Sequence, residues 1–446
     1  MRMKRILCLF FAVFFIVGCA PVAKSVTLPT PTLNTGSGPI SWSQVDFKNI
    51  TPKYIHPEQC WNAMGMDPQG RVYIGCTGLR DGGAKDWGDF AVYRYDPVSG
   101  KKDFLGTFID IAKAANNYQL SESIPKGHTR MVYADGKMYM TSQPFHDLKW
   151  SIDSLPNYRG SHLFAYDIAS NTWQDLSASL PAGVVTVQEG IVSLNILRSD
   201  HLLIGLAHPS SNIVLYDYQQ NKLVKIVPGI PWKLGNPLSR EIIVAPSGNI
   251  YTYRGTESVS QRFENHSPWV YNIHTGEMKD TGFMMTNGFW IGQTQTRDGS
   301  KIYINTTGGE LYEFDVASET FRDLGYELLP GDGRVISYTY AVTLSPDEKR
   351  LYYIISVTNQ AENQVIDQEH DGSQGTGELY YYDLVARKAV FVEKLPPGIY
   401  TSQDIRDGDN IYFAHFGGTR DPVFGFVNNL WAGDTRLFIL HVPPHS

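Results

Sequence analysis

Two histidines bracket one short unit of the chain. In residues 127–147, GHTRMVYADGKMYMTSQPFHD, His128 opens one β-prone run and His146 closes the next. Between TRMVY and KMYMTS stands Ala134-Asp135-Gly136, where Asp and Gly supply the backbone angles of a tight turn, so the spacing predicts an antiparallel hairpin. Both imidazoles then emerge at the end opposite the turn, roughly 23 Å from it at the rise of a strand. Singly, each would be an ordinary strand-end residue. Paired on one hairpin, near an arginine-bearing strand, they match what a proton transfer needs.

The elements that must position them recur along the chain. Past residue 57 an apolar strand, a turn with Asp, Ser or Pro and Gly, a strand with Tyr near its start, a loop and an aromatic strand closed by Asp or Asn follow one another repeatedly. The second strands read RVYIGCTG, KMYMTSQ, HLLIGLAH, NIYTYRG, KIYINTTG, RLYYIIS and NIYFAHFG; the third read VYRYD, LFAYD, IVLYD, WVYN, LYEFD, LYYYD and LFILH. Units of this length built from short strands predict an all-β, seven-bladed β-propeller of four-stranded antiparallel blades over residues 41–446. The last copy lacks a fourth strand, and WSQVDFKNI at 42–50 has the composition of one. An N-terminal strand joining the last blade would close the ring and remove an exposed edge. Eight blades stay open, because 107–127 and 357–377 are long insertions.

Composition agrees with this architecture. Of 446 residues 42% are hydrophobic and 13% aromatic, with 41 Gly, a balance of strands and turns. A formal charge of −7 gives no general attraction to polyanions, which argues against nucleic acid and requires a local cationic pocket for any acidic ligand.

In a propeller, the first strand of each blade begins and the second ends on the same face, around a central channel. That face collects His146, His208, Tyr253 with Arg254, and His415 with Arg420 beyond it from the second strands. The first strands add His128, Arg240, Trp290 and Tyr338 or Tyr340. The opposite face carries turn sequences such as ADGK, PSGN and RDGS. Dinucleotide, phosphate-loop, HExxH and GxSxG signatures are missing, and no cofactor is expected, although a channel-bound divalent metal would be compatible with the fold. Asp367-Gln-Glu-His-Asp-Gly372 has the wrong spacing for a calcium loop and reads as a solvated insertion.

The run H-T-R-M-V-Y-A-D-G-K-M-Y-M-T-S-Q-P-F-H resembles the hairpin of propeller-fold polysaccharide lyases, the ulvan lyases among them, where one histidine opens a blade's first strand and another closes its second. The likeness covers one blade closely and the rest as shared architecture. It implies β-elimination on a uronate-containing anionic polysaccharide: the carboxylate is neutralised, a base removes the C5 proton, and an acid protonates the departing oxygen. Carried over, it gives His128 and His146 the neutralising and base roles and seeks the partner Tyr and Arg at Tyr253 and Arg254. Those two are adjacent and point to opposite faces of a strand; Arg240 is better spaced, and His208 occupies the equivalent exit one blade earlier. The cysteine-containing zinc site of some ulvan lyases has no counterpart here. The alternative for the same face is non-catalytic binding of a glycan or protein partner. Of the named residues, Arg240, His208, Trp290, His415 and Arg420 are the expected substrate contacts.

The N-terminus reads as a targeting segment. Basic Met1-Arg-Met-Lys-Arg5 precedes the apolar run ILCLFFAVFFIV, and Ile16-Val17-Gly18-Cys19 resembles the bacterial lipobox. The resemblance implies a signal peptide over 1–18 and a lipidated Cys19. Ala20 favours the outer membrane or cell surface, and the Pro/Thr/Ser/Gly-rich stretch within 19–40 serves as a flexible tether. A monomer attached to the membrane by its lipid is expected. Of the remaining cysteines, Cys60 and Cys76 flank the hairpin CWNAMGMDPQGRVYIGC, as a cross-strand disulfide or as two buried thiols.

Overall fold

The computed structural model describes residues 40–81, 88–144, 158–229, 239–253, 267–286, 290–306, 309–327, 334–359, 376–396, 399–416 and 435–442. Their strands make a seven-bladed propeller of four-stranded antiparallel blades. Blade 2 shows how local sequence builds one. Val132–Ala134 pairs with Lys137–Thr141 through Ala134 opposite Lys137, so Asp135 and Gly136 alone form the loop. Both have positive φ, 45° and 80°, as a two-residue hairpin turn of matching twist requires. Leu163–Asp167 and Thr172–Asp175 complete the sheet.

In blades 1 to 6 the acidic or amide residue ending the third strand makes the turn into the fourth. Asp96 accepts the Val98 amide at 2.9 Å, Asp167 that of Ser170 at 2.9 Å and Asp217 that of Gln219 at 2.9 Å. Asn272, Asp315 and Asp383 repeat the contact at 3.0, 2.8 and 2.9 Å. A short side-chain acceptor held against its own turn replaces the sheet bonds lost where the strand stops.

Inner strands run parallel around the channel, as the pairing of Tyr340 with Thr401 shows between blades 6 and 7. Blade 2 approaches blade 1 so closely that Met131 N donates to Met64 O at 2.7 Å. A Cβ on neighbouring Gly65 would lie 2.3 Å from the Met131 carbonyl oxygen, so only glycine admits this contact. The core lies between successive blades, in layers of interleaved Tyr, Phe, Ile and Leu.

The ring closes as the sequence predicts. Ser41–Asp46 lies antiparallel to Thr435–His441, from Ser41 opposite His441 to Asp46 opposite Arg436, and supplies the fourth strand of blade 7. Among the described residues neither insertion adds a blade. Residues 107–127 contain a helix, Phe108–Ala114, capped by the Thr107 hydroxyl and packed through Phe108 on Phe90 and Phe164, with ring centroids 4.5 and 4.3 Å apart. At 357–377 the flanking strands pair directly, Val357 with Thr376, and the intervening residues 360–375 lie outside the described residues.

Candidate functional site

His128 enters the inner strand of blade 2 on a backbone held from both sides. Gln143 N donates to Lys126 O at 2.7 Å, and the Thr129 hydroxyl accepts from Thr141 N at 3.4 Å. The imidazole, 2% exposed, lies nearly parallel to the Trp61 indole, with centroids 6.3 Å apart and planes 11° apart. Lys126 Nζ stands 5.2 Å from the centre of the same indole. Trp61 is fixed in turn by its own N–H, which donates to Gln59 Oε1 at 2.6 Å, and by Phe416 edge-on at 4.9 Å. An ammonium held against a largely desolvated indole is worth about 1–2 kcal/mol. The assembly therefore brings an ammonium, an indole and an imidazole together, all three nearly enclosed.

The other expected residues whose side chains are described have surroundings of their own. His146, Arg254, Arg420 and Cys19 lie outside the described residues, and nothing is described of the side chains of Tyr338 and Tyr340. His208 ends the second strand Leu202–His208, at the predicted exit, opposite Gly190 and buried. Arg240 is partly exposed, and its backbone N donates to Trp290 O at 2.9 Å. His415 is turned toward the closure seam: its ring stacks on Tyr400 at 4.3 Å, and its Nδ1 accepts from Gln44 Nε2 at 3.4 Å. Gln44 also accepts from Arg436 at 2.7 Å, so the closing strand sets the orientation of His415.

Tyr253 and Trp290 correct the sequence expectation most plainly, because both are core residues. Trp290 is fully buried, donates to Met285 Sδ at 2.8 Å and meets Tyr253 edge-on at 5.5 Å. Burial pushes the Tyr253 hydroxyl well above the usual tyrosine value, so it keeps its proton at neutral pH. The signal was in the pleat: Tyr251, on the strand Asn249–Thr252, and Tyr253, just past its end, stand two apart and face the same packed layer.

The channel itself holds polar residues that were not singled out. Arg130, on blade 2, donates to Glu241 of blade 4 at 3.2 Å, and Gln403 of blade 7 donates to the other Glu241 oxygen at 3.4 Å. Asn195 and Gln293 both donate to the Ile242 carbonyl oxygen at 3.2 Å. A cavity of about 420 Å³, lined by Arg130, Asn195, Arg198, Gln293 and Asp404, reaches from this girdle to the face of the hairpin turns. Asn195 interrupts the mostly apolar strand Gly190–Leu197, which is a readable sign; Arg130, Gln293 and Gln403 stand among other polar residues and give none. Among the described residues no group of three His, Cys, Asp or Glu could hold a metal ion.

A second buried polar cluster fastens the loops of blade 2. His162 Nδ1 meets Asp175 at 2.8 Å and its Nε2 meets Glu122 at 3.1 Å, while Arg159 donates to Glu122 at 3.1 Å. Burial would lower the imidazole pKa, yet hydrogen bonds to Asp175 and Glu122 outweigh it and raise the value. With His162, Glu122 and Asp175 almost wholly enclosed, the cluster is structural.

No protein-family model matches the chain, and no curated protein matches it in sequence. Among solved structures, the RRP9 WD40 repeats align with a TM-score of 0.50 and 10% identity, over 93% of this chain and 99% of that one. U3-55K aligns at 0.49 and 9% identity over 91% of this chain and all of that one, and a chain of the mitotic checkpoint complex at 0.48 and 12% over 98% and 100%. At such identity the likeness concerns the fold alone.

Proposed function

We propose that the face entered by Lys126 and His128 binds an anionic, uronate-containing polysaccharide and cleaves it by β-elimination. The observation that carries the reading is the stack of Lys126, Trp61 and His128. The Lys126 ammonium neutralises the uronate carboxylate, which makes the neighbouring C5 proton removable; His128 takes that proton, the released electron pair forms the ring double bond and expels the glycosidic oxygen, and the proton now on His128 passes to that oxygen. Lipidation at Cys19 would hold the propeller at the outer membrane or cell surface, where a polymeric substrate arrives from outside.

The enclosure of His128 favours a second reading, in which the same face binds a glycan without cleaving it. One experiment separates them. Incubation with a panel of uronate polysaccharides, followed by the ultraviolet absorbance of unsaturated uronate, should show product that His128→Ala abolishes. Binding by affinity electrophoresis without any absorbance change would replace the first reading by the second, and neither binding nor product would end both. Release of the protein from membranes by Cys19→Ala tests the anchor separately.

A further inference from the structure

Cys60 and Cys76 are unbonded thiols in the structure, both fully buried, with their Sγ atoms 2.8 Å apart. Strand register brings them together. Ile55–Gln59 runs antiparallel to Val72–Arg80 with Gln59 opposite Thr77, so the next step of the same register sets Cys60 against Cys76. Directly opposed residues of neighbouring strands have Cβ atoms about 4.5–5.5 Å apart, at the edge of the separation a disulfide bridges. The sulfurs already lie closer than two unbonded sulfurs pack. A cavity of about 360 Å³ reaches Cys76, walled by Phe47, Ile55, Tyr93 and Thr435, with Lys53 and His56 at its rim.

From this geometry we propose that Cys60 and Cys76 form a disulfide that staples blade 1 beside the closure seam. The oxidant is another disulfide, small or protein-borne, met in an oxidising compartment. The Cys76 thiolate attacks one sulfur of that disulfide, whose S–S bond breaks and releases the first thiol. The Cys60 thiolate then attacks the Cys76 sulfur of the mixed disulfide and releases the second thiol. Two protein thiols are oxidised, one oxidant disulfide is reduced to two thiols, and the two protons pass to the departing sulfurs. Burial, then the hydrogen bond with Cys76, holds the Cys60 thiol well above the usual value, so exchange is fastest before blade 1 is fully packed.

The staple would act on two neighbours at once. The Cys60 carbonyl oxygen accepts from the Thr401 hydroxyl at 3.4 Å, and the same hydroxyl accepts from Asn62 N at 3.4 Å, which joins blade 1 to the inner strand of blade 7. Trp61 follows Cys60 directly and carries Lys126 and His128 against its indole. The inference is independent of the lyase reading.

Trypsin cuts after Lys53, Arg71 and Arg80, which places the two cysteines in separate peptides, 54–71 and 72–80. The full chain is folded with oxidised glutathione, denatured, alkylated without reductant and digested. The expected result is a linked pair of these peptides that separates on reduction. Recovery of both peptides singly alkylated, or joined instead to peptide 6–24, which carries Cys8 and Cys19, overturns the proposal. As a second measurement, reductant should lower the thermal midpoint of the wild-type chain by a few degrees and leave that of the Cys60→Ser/Cys76→Ser chain unmoved. An equal response of both chains shows that the bond holds nothing in place.

Discussion

Arg130 and Glu241, each two residues before the inner strand of its blade and two blades apart, join at 3.2 Å, and Gln403 of blade 7 completes the contact from the far side of the ring. The girdle so formed spans the channel, where apolar side chains from each blade could not meet. Burial pushes the Glu241 carboxyl above its usual value, although Arg130 and Gln403 both pull it down. Breaking a wholly buried pair costs about 3–5 kcal/mol, and the Arg130 side chain is 22% exposed, so Glu241→Ala should cost nearer 2 kcal/mol. Arg130→Met with Glu241→Leu should recover most of the loss. Urea unfolding of the two single variants and the double one gives the coupling; strictly additive losses would show that the pair carries none.

The imidazole of His162 gives the molecule a pH signature. Because its pKa is raised, its contribution is complete below the ordinary value of 6.5 and fades as pH rises through the value it has in the folded protein. Glu122 runs the other way: burial would raise its carboxyl, but His162, the Gln119 amide and Arg159 bring it below the usual value, so its share is lost only in acid. Thermal midpoints measured upward from about pH 6.5 should fall in the wild-type chain, and His162→Gln should flatten that fall while losing about 2–4 kcal/mol near pH 6. Parallel curves for the two proteins would remove His162 from the account.

The architecture was legible because it repeats. A turn of Asp-Gly, a tyrosine in the second strand and an Asp or Asn after the third each answer a local backbone demand, and together they located the seven second and third strands. The closing strand was legible from a missing partner, since blade 7 ends at its third strand and 42–50 offers a fourth. The helix Phe108–Ala114 was not, because seven residues inside a long connection carry too little periodicity to stand out. At the site, position along a strand was readable but facing was not. Tyr253 and Trp290 were expected at the rim and turned into the core, whereas Trp61 meets Lys126 and His128 from a separate segment that no local pattern connects to theirs.

The core placement of Tyr253 and Trp290 separates packing from chemistry in two variants. Tyr253→Phe removes only a hydroxyl that keeps its proton, so polysaccharide turnover, where present, should persist undiminished through neutral pH. Trp290→Ala empties a fully enclosed site between Tyr253, Met285 and Phe321 and should cost about 3–5 kcal/mol. Turnover abolished by Tyr253→Phe in a protein of unchanged thermal midpoint would restore Tyr253 to the mechanism.

The closing strand Ser41–Asp46 supplies more than an edge for Thr435–His441. Trp42 stacks on Phe438 at 5.3 Å, the Asp46 carbonyl oxygen accepts from Lys102 of blade 1 at 2.8 Å, and Gln44 links Arg436 to His415. A chain beginning at residue 47 loses these contacts and leaves the outer edge of blade 7 unpaired, a row of donors and acceptors that another chain can take up. It should melt well below the full-length protein and form oligomers visible by light scattering. Gln44→Leu keeps the strand and removes only its polar link, so it should cost about 0.5–1.5 kcal/mol, the worth of a typical hydrogen bond, and remain monodisperse. Truncation without a change in melting or in size would mean that the ring holds its last blade by the inner three strands alone.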